Sequence, residues 1–364
     1  MRVLVVHNRY RLAGGEERAV ELQLQALERA GVEHEVLIRD SESVSRVRAA
    51  RALLRGGEGL DVPDGFDVVH VHNMQPLFGP RALAAARSAG ARVILHLHNF
   101  RLFCSIATCF RDGEPCFRCS GRFTLPGAVL NCRDSLPESA VYATALSLHQ
   151  PAVFEAVDRF VTPSHYARGQ LARLGLPDRV SVVPNYVPPA AVRSRPAEGT
   201  YAVAFGRLSE EKGFHVAAEA AALSGVPLKI AGDGALENEL RAQSAELVGR
   251  LDEHGLAELL GGAAMAIVPS LGGDVMPFAA LEAMAAGLPV IASRSGSLPE
   301  LVGEERCVPR DDAHALAGAM RSLWSDPDRR RAEGDALIAR AQDRFGERRY
   351  VDGLLAVYAQ APAG

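Results

Sequence analysis

The sequence predicts an α/β fold of two doubly wound halves, on three observations. Short apolar runs of strand length alternate with helix-length segments, the pattern of parallel sheets covered on both faces. That alternation breaks at a proline-rich stretch, Pro184-Asn185-Tyr186-Val187-Pro188-Pro189 followed by Arg193-Ser194-Arg195-Pro196, which reads as a hinge. Glycines cluster where strands turn into helices, at Gly14-Gly15, Gly206, Gly232-Asp233-Gly234 and Gly272-Gly273. With 364 residues, 48% hydrophobic and 23% charged, the chain suits two ordered domains. The expected division is 1–185, a linker at 186–199, 200–345 and a last helix in 346–364. A net charge of −4 gives no general pull toward nucleic acid. The apolar runs are short and Met1-Arg2 leads straight into a strand, so neither signal peptide nor membrane span is expected, and a cytoplasmic location is.

In the first half, 2–7 is a buried strand, 8–15 a loop, and a helix starts at Glu16 with Val20, Leu22, Leu24 and Leu27 on its packed face. Gly31 ends that helix before a strand at 34–38. Segment 45–55 sets Arg46, Arg48, Arg51 and Arg55 among Val47, Leu53 and Leu54. Such a basic amphipathic helix suits an anionic membrane surface, and equally a solvated helix face. Strand 68–71, helix 80–89 and strand 92–97 follow. His98-Asn99 close the last strand at its carboxyl end, where open α/β sheets hold ligands; His70, His72 and His96 read as structural. Segment 99–134 has no periodicity and holds five of the six cysteines. Four of them, Cys104, Cys116, Cys119 and Cys132, suit a tetrahedral structural zinc; reduced thiols and a disulfide pair are the alternatives. Helix 135–150, strand 159–162, helix 164–174 and strand 180–183 complete the half.

The second half opens with strand 201–205 and the turn Gly206-Arg207-Leu208-Ser209-Glu210-Glu211-Lys212-Gly213, with Ser209 as a helix N-cap. Arg207 and Lys212, with free amides, converge there on a diphosphate. Lys212 and Lys229 are the lysines among 40 Lys and Arg residues, and a Lys kept in so arginine-rich a chain points to a compact point charge. After strand 263–268 comes the loop with Gly272-Gly273, then a helix with Pro277 at its first position, ending at Ala286. Gly287 takes the left-handed cap, Pro289 forbids continuation, and Val290-Ile291 start a strand. The helix N-terminus, with amides near Val275, Met276 and Phe278, favours phosphate. Asp274 and Glu282 reach the same place, and acids there accept hydrogen bonds from sugar hydroxyls; the plain alternative is a buried Ala-rich helix with an incidental Glu. Asp326-Pro327-Asp328 has the spacing of a metal-binding pair but reads as a turn.

Asp274, seven intervening residues, Glu282 and the run Ala283-Met284-Ala285-Ala286-Gly287-Leu288-Pro289-Val290-Ile291 resemble the donor motif of family-four retaining glycosyltransferases. That family usually has Glu first; Asp274 is one methylene shorter. Gly206-Arg207 to Lys212-Gly213 matches its phosphate motif, and the resemblance runs from Gly14-Gly15 through Tyr358. It implies the GT-B fold: two Rossmann-like domains facing each other across a cleft, with a C-terminal helix crossing back to the first. It implies metal-independent, retaining transfer of a hexose from a nucleoside-diphosphate sugar to an acceptor hydroxyl.

By the same resemblance the donor meets Gly14, Gly15, Gly206, Arg207, Lys212, Arg250, Leu251, Asp274, Met276, Pro277, Phe278 and Glu282, and catalysis rests on His98, Arg207, Lys212 and Asp274. Members with a Gly-Gly-Glu loop show cysteines at the places of Cys104, Cys116, Cys119 and Cys132, which implies the structural zinc; Cys109 is additional. No catalytic cofactor is implied. The acceptor is expected to be a glycan, a lipid-linked saccharide or a small natural product, with no nucleic acid and with peripheral contact at the inner membrane surface. Two other classes stay open: a nucleotide-sugar epimerase of the same architecture and a catalytically silent sugar-nucleotide-binding protein.

Overall fold

The computed structural model describes residues 1–9, 14–243 and 245–360. They divide into two compact units, one of Met1–Arg111, Cys116–Asn185 and the chain from Tyr350 onward, the other of Asp112–Pro115 and Tyr186–Arg349. Residues 186–199, expected as a linker, are grouped with the second unit, and Tyr186 among them is fully buried.

The first unit's elements are β1 (Arg2–Arg9), α1 (Gly15–Arg29), β2 (Glu33–Asp40), α2 (Arg46–Arg55), β3 (Val68–Val71), α3 (Gly79–Ser88), β4 (Arg92–His96), β5 (Phe110–Arg111), β6 (Glu114–Pro115), α4 (Leu125–Val129), α5 (Leu136–Ala156), β7 (Arg159–Thr162), α6 (His165–Arg173) and β8 (Val180–Val182); by contact, β6 is grouped with the other unit. Six strands form a parallel sheet in the order β2-β1-β3-β4-β7-β8. Val3, Leu4, Val5 and Val6 are all buried, without alternation, because helices cover both faces. Segment 99–134 is not featureless: α4 and two short strands lie within it. Helix α5 runs six residues past its expected end at Gln150, straight through Pro151. Proline leaves the carbonyl of Ser147 without its helical donor, and Arg122 Nε donates to that carbonyl at 3.1 Å.

The second unit contains β9 (Ala202–Phe205), a 3₁₀ turn (Glu210–Lys212), α7 (Phe214–Ser224), β10 (Leu228–Ala231), α8 (Glu237–Arg241), β11 (Glu246–Gly249), α9 (Glu253–Gly261), β12 (Met265–Val268), α10 (Phe278–Ala286), β13 (Val290–Ser293), α11 (Leu298–Val302), β14 (Cys307–Val308), α12 (Ala313–Trp324) and α13 (Pro327–Phe345). Its sheet is parallel, in the order β11-β10-β9-β12-β13-β14. The order reverses between β9 and β12, so the loops leaving those two strands lie side by side at the switch point. Asp326 caps α13, accepting from Arg329 N at 2.9 Å, and Asp328 pairs with Arg331, so the acidic pair starts a helix.

The last helix, α14 (Glu347–Ala359), joins the first unit from Tyr350 onward. Tyr350 Oη donates to Gln23 Oε1 at 2.8 Å, and Tyr358 Oη lies 2.6 Å from His70 Nδ1. No helix among the described residues is long and apolar enough to cross a membrane.

Candidate active site

In the second unit the loop after β9 is laced to the loop after β12. The carbonyl of Glu211 accepts from Leu271 N and Gly272 N, both at 2.9 Å. Gly213 is left-handed (φ 67°), and a Cβ there would sit 2.1 Å from the carbonyl oxygen of Pro269, so only glycine lets these backbones approach so closely. Lys212 Nζ consequently reaches Asp274 Oδ1 at 2.6 Å, while Ser270 Oγ donates to Oδ2 at 2.6 Å. The backbone of Asp274 is fixed as well, its carbonyl accepting from Ser297 N at 2.9 Å.

Arg207 departs from the expected convergence with Lys212. Its guanidinium is exposed and donates to Glu211 Oε1 at 2.7 Å, and its Nε to Ser209 Oγ at 3.4 Å. Each cation is therefore held by its own carboxylate. Ser209 opens the 3₁₀ turn without a side-chain cap bond; Gly206 lies in the same loop.

Pro277 is the N-cap of α10, one residue before the position expected for it: its backbone is extended (ψ 124°), and its carbonyl accepts from Ala280 N at 3.2 Å. The side chain of Met276 is buried in the unit's apolar core together with Ala280 and Leu281, while Pro277 and Phe278 stay half-buried at the helix start. Glu282 is half-buried one turn on. Arg250 is exposed and pairs with Asp233 at 3.6 Å, and half-buried Leu251 packs on the same core.

In the first unit Gly14 and Gly15 are exposed at the start of α1, where Gly14 N donates to Glu17 Oε2 at 2.8 Å. His98 is half-buried at the end of β4. Its ring stacks on His96 at 4.1 Å between centroids and its Nε2 lies 2.7 Å from His72 Nδ1. Burial, and then the neighbouring imidazoles of His96 and His7, hold it neutral well below the usual histidine range, against the opposing pull of Glu17. A small pocket is lined by the polar side chains of His98, Glu16, His72 and Asn99 and by the apolar ones of Leu95 and Leu102. Asn99 Nδ2 donates to Glu16 Oε2 at 3.0 Å. Sequence reasoning missed Glu16, Glu17 and His72 here; the doubled pattern His70-Val71-His72 and His96-Leu97-His98 was the available signal.

The four cysteines expected to hold zinc lie within electrostatic reach of one another, burial and then Cys104 and Cys116 pushing up the thiols of Cys119 and Cys132. All six cysteines are free, and among the described residues no three cysteine sulfurs come within 4.8 Å of one another. The thiols have other partners. Cys109 hydrogen-bonds the sulfur of Cys104, Cys119 donates to the carbonyl of Thr124 at 3.9 Å, and Cys132 accepts from Arg111 at 3.9 Å. The hydrogen bond from Cys109, the additional cysteine, brings the Cys104 thiol down to about 6 and pushes its own up.

Comparison with known proteins finds two matched segments. Residues 42–186 match the family described as "Glycosyl transferase 4-like domain", and residues 199–326 match "Glycosyl transferases group 1". Glycogen synthase of Mycobacterium tuberculosis is 35% identical over 191 residues, 47% of this chain and 44% of that protein, so the chain spans under half the length of that relative. Phosphatidyl-myo-inositol mannosyltransferase of Mycolicibacterium smegmatis is 26% identical over 356 residues, 91% of this chain and 85% of that protein. Among solved structures, sucrose-phosphate synthase from Thermosynechococcus elongatus aligns with a TM-score of 0.71 at 18% identity, covering 98% of each chain. Anabaena HepE, solved in complex with UDP, aligns with a TM-score of 0.65 at 15% identity, covering 99% of this chain and 100% of that one. Likeness at such identity shows the fold, two Rossmann-like domains of the GT-B class.

Proposed function

Starting from a chain that carries a glycosyl transferase 4-like domain followed by a glycosyl transferases group 1 domain, we propose that it is a retaining glycosyltransferase. It moves a hexose from a nucleoside-diphosphate sugar to an acceptor hydroxyl without a catalytic metal. The observation that carries this reading is the Lys212–Asp274 pair at the switch point of the second unit's sheet, beside the N-terminus of α10.

The pair works by exchange. A donor diphosphate arriving at the α10 N-terminus competes with Asp274 for the Lys212 ammonium. Asp274, still held through Ser270, then has an oxygen to accept a hydroxyl of the hexose. Arg207 exchanges Glu211 for phosphate in the same way. As the anomeric carbon–phosphate bond breaks, negative charge grows on the leaving oxygen, and Lys212, Arg207 and the helix dipole stabilise it. Contacts of this kind contribute about 3–4 kcal/mol each to lowering the barrier. The acceptor oxygen bonds to the anomeric carbon on the face the phosphate leaves, and its proton passes to the departing phosphate, so no protein nucleophile takes part. Glu282 binds the ribose. The backbone around Arg250 and Leu251 holds the base, while His98 and the Gly14-Gly15 loop meet the sugar and acceptor.

Relatives named as mannosyltransferases, one of them GDP-mannose-dependent, and a structural neighbour solved with UDP-glucose make UDP-glucose and GDP-mannose the first donors to try. A lipid-linked saccharide suits the exposed α2 residues Val47, Leu54, Arg51 and Arg55, which fit an anionic membrane surface; a glycan or a small natural product would not need them.

Purified protein incubated with each donor should release nucleoside diphosphate slowly, and faster with an acceptor. An isomerised sugar would mean an epimerase, and binding without turnover a silent protein; either result overturns the proposal. NMR of the first-formed product must show an α-linkage from an α-configured donor.

A further inference from the structure

β3 and β4 are adjacent and parallel, with His70 opposite Ile94 and Val71 opposite Leu95. Side chains two apart share a face of a strand, and continuing this register sets His72 beside His96. The two His-x-His doublets therefore form a stripe of imidazoles at the carboxyl edge of the first unit's sheet. His70, His72 and His96 are almost wholly buried, at 0%, 3% and 1% exposure. One ring nitrogen from each lies within 4.8 Å of the other two, and among the described residues no other His, Cys, Asp or Glu group of three does this.

The hydrogen bonds around these rings are one-sided. His70 Nδ1 is held by Tyr358 Oη at 2.6 Å, and His72 Nδ1 by His98 Nε2 at 2.7 Å. His70 Nε2, His72 Nε2 and both ring nitrogens of His96 are buried with no partner among the described residues. Buried polar atoms are nearly always satisfied, so four orphans in one cluster point to something that satisfies them. With Nδ1–H donated to His98, the Nε2 lone pair of His72 is available. Gln23 Nε2, which can only donate, lies 3.1 Å from His70 Nδ1 and 3.4 Å from Tyr358 Oη, so metal binding at His70 Nε2 requires Nδ1–H to be donated to Tyr358 and the Gln23 amide to move wholly onto the Tyr358 oxygen. A metal-binding histidine is fixed in just this way, its second ring nitrogen tied to an outer partner.

The geometry points to a divalent transition-metal site formed by His70, His72 and His96. Three neutral imidazoles without a carboxylate suit Zn²⁺ or Co²⁺ and not the oxygen-seeking Mg²⁺ or Ca²⁺. His72 and His96 also line the small pocket that His98 shares, which supplies the way in. The rings are nearly parallel, 3° apart for His70 and His72 and 23° for His72 and His96. Binding turns them about their Cβ–Cγ bonds, a soft torsion, until the three in-plane lone pairs meet. Through His70 and Tyr358 the ion fastens α14 to the sheet, so loading raises the melting temperature.

The test is a Co²⁺ titration of tag-free protein freed of metal by chelation. One Co²⁺ per chain is expected, with visible d–d absorption, no sulfur-to-cobalt charge-transfer band and a raised melting temperature. His96→Gln, folded by circular dichroism, should weaken binding at least roughly tenfold. No saturable binding by the wild type would overturn the site. So would a charge-transfer band that survives in His96→Gln, since it would place the ion on the cysteines. Should His96→Gln fail to fold, the wild-type spectrum decides alone, because nitrogen and thiolate ligation absorb differently.

Discussion

Lys212 and Asp274, 62 residues apart in the chain, meet in a 2.6 Å ion pair because β9 and β12 are neighbours at the point where the sheet order reverses. Lys212→Ala is expected to lower kcat/KM by roughly 100-fold or more, the scale for losing one preorganised charge at the leaving group. The loss of stability should be only about 1–2 kcal/mol, since Asp274 keeps its bond from Ser270. Steady-state kinetics beside thermal melts separate the two, and turnover near wild type would remove Lys212 from the site.

Glu282→Gln keeps the shape and weakens a charge-assisted acceptor. If the carboxylate binds the donor ribose, donor KM rises several-fold, about 3- to 10-fold for a lost increment near 1 kcal/mol, with little change in melting temperature. A lower melting temperature with KM unchanged would make Glu282 a stabilising residue of α10 and no more.

Gly296 holds the Asp274 loop from behind. It is left-handed (φ 59°), and an added Cβ would lie 2.5 Å from the carbonyl oxygen and 2.6 Å from the nitrogen of Asp274. Gly296→Ala therefore costs about 1–3 kcal/mol of strain and displaces Asp274. The expected outcome is a lower melting temperature together with a raised donor KM; a variant matching wild type in both would show that the loop shifts without consequence.

Cys104 and Cys109 should differ in reactivity. The Cys109 hydrogen bond brings the Cys104 thiol to about 6, below its usual value near 9, whereas Cys109 is pushed the other way. Thiolate at Cys104 forms as pH rises through about 6, so its alkylation rate should climb between pH 5 and 7 and level off above, while Cys109 stays unreacted. Peptide mapping after timed iodoacetamide treatment reads both sites, and a Cys104 midpoint near 9 would contradict the pairing.

The sequence alone determined the alternation of strands and helices, the glycine and proline punctuation around α10, and the family resemblance at Arg207, Lys212 and Asp274 to Pro289. These are legible because each depends on local rules: side-chain period, the left-handed preference of glycine and the fixed φ of proline. It also marked His98, by its position at the end of a strand. What only the tertiary structure decided depends on partners far along the chain. Helix α5 continues through Pro151 because Arg122, 25 residues upstream of Ser147, reaches the stranded carbonyl. The thiol of Cys104 turns to Cys109, which no spacing rule selects. His70, His72 and His96 read as ordinary core residues until the β3–β4 register stacks them and Tyr358, 288 residues away, fixes His70. Register and strand order are settled by the summed burial of whole sheets, an energy spread over many residues that no single stretch of sequence displays.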